Sequence, residues 1–271
     1  MITPMCILRL AVFFGIPVAA QWLNLPTPGV PHTRDGKPDL SAPAPKTPGG
    51  KPDFSGMWIP RDVLTCDSKE RGVQCVELPL TPQLVNFAAG IKDGLPYQPW
   101  AADLVKSRSK DVAYIDPHTH CMPPNFPRAW AFPETEKIFQ TPTQLVILHE
   151  FNASYRQIFF DGRKLPEDMT PAWNGYSVAH WEGDTLVVES AGYRDDSWLD
   201  TEGNFFSSQA RLTERIRRPN FGSLDIDVTI DDPKVFTKTW TVALHMKPMV
   251  DTEMIEYMCQ DNNKDIQHFV R

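Results

Sequence analysis

From Lys137 onward, apolar and polar residues alternate with a period of two, the pattern of half-buried strands. The alternation predicts strands over 137–141, 144–151, 154–161, 175–182, 185–192, 209–218, 223–231, 236–246 and 253–259. Their connections are mostly short, so successive strands pair as antiparallel hairpins. Asp53–Trp58 (DFSGMW) adds an opening strand. An up-and-down set of roughly eight to ten strands loses its exposed edges by closing into a barrel; a two-sheet sandwich is the alternative. Residues 59–135 show no period. Within them Thr81–Ala89 predicts a short helix, with Thr81 as cap and Pro82 at its first position. The long loop Asp116–Trp130 follows, and loops of that length are usually functional or pinned by a crosslink. The predicted class is an all-β antiparallel barrel with an irregular proline-rich amino-terminal part and one or two short helices.

Turns fix which residues share a face. A tight turn at Asn152-Ala153 pairs Glu150 with Tyr155 and His149 with Arg156. The more apolar face then carries Leu145, Ile147, His149, Arg156, Ile158 and Phe160, and is assigned to the interior. A turn at Gly183-Asp184 pairs Trp181 with Leu186 and places Ala179 and Val188 beside them on the core face. Tyr176, His180 and Glu189 fall on the opposite face. Further on, Arg211, Thr213, Arg215 and Arg217 alternate with Leu212, Glu214 and Ile216. The arginine row can face Asp225 and Asp227 in a solvated, charge-paired exterior. Glu214 then points inward. A buried carboxylate must be paired, protonated or functional, and pairing with an inward arginine stands beside a catalytic role.

Composition narrows the function. The chain has 271 residues, 41% hydrophobic and 23% charged, which excludes wholesale disorder. Its net charge of −7 argues against a sequence-independent nucleic-acid binder. Residues 1–20 read as an export signal: Arg9, the apolar run Leu10–Val18, and the small-residue site Val18-Ala19-Ala20 before Gln21. The run is shorter than a spanning helix, so the expectation is a periplasmic or secreted protein with no stable membrane insertion after cleavage. Residues 21–52 read as a proline-rich linker, in which GKPDL (Gly36–Leu40) and GKPDF (Gly50–Phe54) suggest two similar extended contacts. Residues 53–271 form a single domain. In an oxidising compartment the remaining cysteines, Cys66, Cys75, Cys121 and Cys259, pair as disulfides. Cys66–Cys75 closes a short polar loop, which leaves Cys121–Cys259. The competing reading makes Cys121 a metal ligand or nucleophile beside His118 and His120.

The sequence holds no P-loop, dinucleotide fingerprint, GxSxG elbow, HExxH or CxxC. On an extended segment His118 and His120 point the same way, but no second cluster completes a metal site, so neither metal nor cofactor is expected. Aromatic rings beside polar residues, as in Pro96–Trp100, Pro127–Phe132, Pro171–Tyr176 and Tyr193–Asp200, suit a sugar-binding groove and equally suit loops packed on a barrel mouth.

Several motifs together resemble an uncharacterised family of exported bacterial proteins. They are DPxxxCxPxxxPR (Asp116–Arg128), YRQIFFDGRKLP (Tyr155–Pro166), GYSVAHWEGDTLVVES (Gly175–Ser190), LTERIRRP (Leu212–Pro219), VTIDDP (Val228–Pro233) and EYMCQDNNKD (Glu256–Asp265). The resemblance spans about residues 50–265 and implies export and one domain; it carries no site residues. FSGMW is also similar to the Gly-x-Trp of the first strand in lipocalin-like barrels. From the residues themselves, the expected function is cofactor-independent acid/base chemistry (elimination, dehydration or isomerisation) on a small acidic molecule such as an unsaturated uronate-type oligosaccharide. Glu214 is the candidate base. His149, Tyr155, His118 and His120 are the candidate proton-handling partners. Arg156 is the candidate anion clamp, and Arg128 and Trp181 are further candidate substrate-binding residues. The alternative is a binding protein for a small ligand.

Overall fold

A computed structural model describes residues 25–61, 86–88, 91, 93–195 and 197–261. The expected signal segment, the Cys66–Cys75 bridge and most of the Thr81–Ala89 helix lie outside those residues. Nine strands close a barrel. They are β1 (Gly56–Pro60), β2 (Glu136–Gln140), β3 (Gln144–His149), β4 (Ser154–Phe159), β5 (Tyr176–Glu182), β6 (Thr185–Ala191), β9 (Arg211–Asn220), β10 (Ser223–Asp231) and β11 (Trp240–Met249), with a separate hairpin of β7 (Ser197–Trp198) and β8 (Phe205–Phe206). Around the barrel the order is β1-β11-β10-β9-β6-β5-β4-β3-β2, and β2 pairs back with β1.

The all-β barrel stands, but it is mixed and not a purely antiparallel meander. An odd number of strands cannot close with antiparallel neighbours alone. The exception is β4–β5, a parallel contact of two residue pairs, Ile158↔Ser177 and Phe159↔Val178. The chain between these strands returns from one end of the barrel to the other before β5 begins. The expected strand at 253–259 contributes one isolated bridge, Phe151↔Tyr257. Residues 99–131 contain three short α-helices, α1 (Pro99–Arg108), α2 (Val112–Ile115) and α3 (Arg128–Ala131), and a 3-10 turn at Pro117–His120.

The inner face follows the alternation. Leu145, Ile147, Ile158, Leu186, Val188, Leu212, Ile216, Ile226 and Val228 are all at most 1% exposed. Each such aliphatic side chain contributes about 1.5–3 kcal/mol by leaving water. The β5–β6 pairs match the expected register, Trp181↔Leu186 and His180↔Val187. In β3–β4 the register differs by two residues. His149 pairs with Ser154 and Leu148 with Tyr155, across a loop in which Asn152 and Ala153 both take positive φ. A two-residue slip leaves every side chain on its expected face. On the outer face, Arg217 contacts Asp227 and Arg215 contacts Glu182, while His245 bonds Asp225 at 2.7 Å. Asp225 and Asp227 are buried, so this face is more covered than a solvated row of ion pairs.

Residues 25–53 are no free linker. GKPDL and GKPDF form the same turn twice. Thr33 N–H donates to Lys37 O at 2.8 Å, and Thr47 N–H to Lys51 O at 2.8 Å. Gly36 and Gly50 supply the positive φ that both turns require, +80° and +78°. The second turn drives Phe54 into the barrel, where it stacks on Trp181 at 5.6 Å. Gln140 clasps it by donating to Pro52 O at 3.0 Å and accepting from Phe54 N–H at 2.8 Å. This segment lies at the lower mouth, the end at which β5 turns into β6. Residues 116–135 close the upper mouth, the end at which β3 runs into β4. They are pinned by the Cys121–Cys259 disulfide, with Cα atoms 5.4 Å apart. Asn152 holds both half-cystines, accepting from Cys259 N–H at 2.9 Å and donating to Cys121 O.

Candidate functional site

Six neighbouring strands each send one polar side chain into the lumen: Glu136 from β2, His149 from β3, Arg156 from β4, Ser177 from β5, Ser190 from β6 and Glu214 from β9. All six are at most 2% exposed. Together they form a polar belt inside an otherwise aliphatic barrel. Buried polar groups persist only when hydrogen-bonded, and the belt meets that demand largely from within.

Its centre is the Arg156–Glu214 pair. The Arg156 guanidinium donates to both Glu214 oxygens, at 3.0 Å to Oε1 and in close contact with Oε2. It also donates to Ser177 Oγ at 3.1 and 3.2 Å and to Ser190 Oγ at 2.9 Å. Trp130 Nε1–H reaches down from α3 to Glu214 Oε1 at 2.6 Å, and Phe126 lies with its ring 4.8 Å from the guanidinium. Glu214 is fully buried with both oxygens engaged, and it takes the structural pairing that its inward position allowed. Arg156 is spent in the same contact and is not placed to clamp a substrate anion. Arg128 is likewise committed: it forms a bidentate pair with Asp116 at 2.8 and 2.7 Å, with both side chains 2% exposed.

The other half of the belt leads outward. His149 Nδ1 sits 2.7 Å from Glu136 Oε1, and its Nε2 3.2 Å from Glu134 Oε2. Burial opposes charge on His149, but the carboxylates on both sides override it and push its pKa up to about 10. Burial pushes Glu136 up to about 7 against the pull of His149. Glu134 continues to His118, whose Nε2 is 3.7 Å from Glu134 Oε1. Burial, then the Arg128 charge, hold His118 down to about 3, so it stays a neutral ring, stacked on Phe151 at 4.1 Å. Glu134 and His118, at 17% and 14% exposure, are the edge of this chain that meets solvent.

The remaining candidates are scattered. Tyr155 is 63% exposed on the outside of β4, because it alternates with inward Arg156. His120 is exposed and contacts Tyr114 O at 2.6 Å. The extended segment expected at His118–His120 is a 3-10 turn, so the two imidazoles part. No group of three or more His, Cys, Asp or Glu among the described residues is arranged to hold a metal ion. Trp181 lies at the lower mouth, far from the belt's outer edge. There it lines a cleft of about 280 Å³ with Phe160, Thr47, Lys51, Asp53 and Gln140. Lys51 Nζ stands 5.5 Å from the Trp181 ring and donates to Gly183 O at 2.8 Å.

Sequence reasoning missed Glu134, Glu136 and Trp130. Glu136 carries the same signal as Glu214, a charge in phase with inward Ile138, but lies one residue before the strand expected over 137–141. Trp130 and Glu134 reach the site from the upper plug, which no local pattern reveals. No protein-family model matches the chain, and no curated protein matches it. The fold and site define a filled mixed β-barrel with an internal polar belt, covered above by residues 116–135 and bordered below by the Trp181 cleft. No helix among the described residues is long and apolar enough to cross a membrane.

Proposed function

We propose that the protein is an exported, ligand-binding barrel whose ligand lies in the Trp181 cleft at the lower mouth, and that the Arg156–Glu214 half of the belt holds the fold together. One observation carries this reading. Of the residues singled out for binding, Trp181 alone borders an open cleft, whereas Arg156 and Arg128 are each consumed by a buried carboxylate. A partly exposed indole edged by Lys51, Asp53 and Thr47 suits a ligand with one apolar face and several hydroxyls, as in a saccharide. The Cys121–Cys259 disulfide supports export to a periplasmic or secreted location.

A second reading keeps acid/base chemistry on a small acidic molecule, with Glu134 in place of Glu214 as the proton-handling carboxylate. It is favoured by Glu134 standing between two imidazoles at the solvent edge of the upper plug. Incubation of the purified protein with oligosaccharides, followed by calorimetry and mass spectrometry, separates the two. Saturable binding with no change in ligand mass, lost in Trp181→Ala, is the expected result. Turnover that survives Trp181→Ala and disappears in Glu134→Gln overturns it.

A further inference from the structure

We infer a second ligand site, independent of the Trp181 cleft: a recess around the start of β1 in which Arg218 binds the carboxylate of a small acid with an apolar body. The recess measures about 340 Å³. Its apolar walls are Pro28, Pro45, Met57, Pro248, Met249 and Val250. Among its lining residues Arg218 is the one cation and Asp53 the one carboxylate.

The register explains the opening. The β1–β11 ladder begins at Met57↔Met249. Gly56 and Val250 stand past its end, and Gly56, at φ +131°, has no side chain to fill the gap. Space therefore passes around the strand, from the face that carries Met57 to the face that carries Trp58 and Arg218. Thr27 fixes the rim. Its N–H donates to Asp251 Oδ1 at 2.9 Å, and its Oγ1 accepts from Asp251 N–H at 2.7 Å. Arg218 enters from the lower end of β9, in the same inward phase as Leu212, Glu214 and Ile216.

Arg218 differs from the other buried arginines. Arg156 and Arg128 each grip a carboxylate, whereas Arg218, at 6% exposure, has none. Its guanidinium lies 4.7 Å from the centre of the Trp58 ring and 5.2 Å from that of Phe221. It donates to main-chain oxygens alone: Asp53 O, Ser55 O at 3.4 Å and Phe221 O at 3.1 Å. Carbonyls and ring faces satisfy hydrogen bonds and part of the charge, but they supply no counter-ion. The Nε–H is buried with no partner among the described residues. Burial holds the Arg218 pKa down to about 10, and Asp53 is the one charge that pulls it up. Asp53 makes no ion pair with it and spends Oδ1 on Ser55 N–H at 2.9 Å. An incoming carboxylate brings the missing charge and the missing acceptor together. The proline, methionine and valine walls take the rest of the molecule.

The test uses hexanoate, hexanamide and hexylammonium, which share a carbon chain and differ in charge. Each is titrated into the intact protein, followed by calorimetry and by proton–nitrogen correlation NMR of the arginine Nε–H groups. Hexanoate is expected to bind at least about tenfold tighter than hexanamide, and to keep that advantage in high salt because the cation is buried. It is expected to shift one arginine Nε–H, the one missing in Arg218→Met. Hexylammonium is expected not to bind. Val250→Glu sets a like charge at the rim, on a partly exposed residue, and is expected to weaken hexanoate about tenfold in a protein that still folds. It keeps the site testable if Arg218→Met does not fold. Trp181→Ala is expected to bind hexanoate as the parent does. Equal binding of hexanoate and hexanamide, hexanoate binding untouched by Val250→Glu, or no hexanoate binding at all overturns the Arg218 site. None of these results bears on saccharide binding in the Trp181 cleft.

Discussion

Removing one member of the Arg156–Glu214 pair is the sharpest perturbation of the belt. In Glu214→Gln the guanidinium keeps its charge at 2% exposure but loses the carboxylate that balances it. Breaking a buried pair from one side costs about 3–5 kcal/mol, because the surviving charge has no water to return to. For a chain of this size each kcal/mol lowers Tm by about 2–4 °C, so a fall of about 6–20 °C is expected. Arg156→Met has the same logic with the opposite orphan, softened by the Trp130 donor at 2.6 Å. Replacing both, as Arg156→Met/Glu214→Leu, removes the unpaired charge. Ser177 and Ser190 still bond each other at 2.9 Å, and the residual cost is the Trp130 indole without an acceptor, about 1–3 kcal/mol. The double variant is therefore expected to be more stable than either single one. Urea unfolding followed by circular dichroism gives all four corners of the cycle. If Glu214→Gln unfolds within about 0.5 kcal/mol of the parent and yet abolishes ligand binding, the pair is functional and the structural account is wrong.

Three further outcomes follow from other parts of the fold. Cys121→Ser/Cys259→Ser removes a crosslink spanning 138 residues and is expected to cost about 2–4 kcal/mol; thiol counting on the intact protein must show this pair oxidised. Phe54→Ala empties a fully buried site against Trp181 and is expected to cost about 3–5 kcal/mol while loosening residues 45–53, read as faster amide exchange there. Stability should also fall toward alkaline pH and again below about pH 4.5. His149 is raised from 6.5 to about 10, so its contribution is complete below pH 6.5 and lost as pH rises through 10, while Glu136, raised from 4.5 to about 7, loses its contribution between pH 4.5 and 7 and so offsets the acid-side loss until the pH falls below 4.5. His118 is lowered from 6.5 to about 3, so its contribution is lost as pH falls through that window. His149→Gln should flatten the alkaline limb of a Tm–pH profile and leave the acid limb; an unchanged alkaline limb refutes the charged imidazole.

What the chain made legible was face, more than partner. Alternation alone put His149, Arg156 and Glu214 inside, because burial on one side of a strand is a period-two constraint that every residue repeats. The β3–β4 register escaped, since a loop holding Asn152 and Ala153 at positive φ is two residues longer than a tight turn, and the slip changes no face. The parallel seam escaped because short connections on either side of residues 160–175 favoured a meander. The partners of the belt were hidden for a different reason. Trp130 is 84 residues from Glu214, and such a contact is set by how the upper plug docks. The GKPD pair announced a repetition, but only the fold shows that one copy buries Phe54 while the other leaves Leu40 46% exposed.

Calorimetric titration of an oligosaccharide into the parent protein, Trp181→Ala and Glu214→Gln, run where all three are folded, sets the two ends of the barrel against each other. The cleft reading requires Trp181→Ala to weaken binding by about tenfold or more, with Glu214→Gln close to the parent. Binding that collapses in Glu214→Gln and persists in Trp181→Ala would place the ligand at the belt and contradict it.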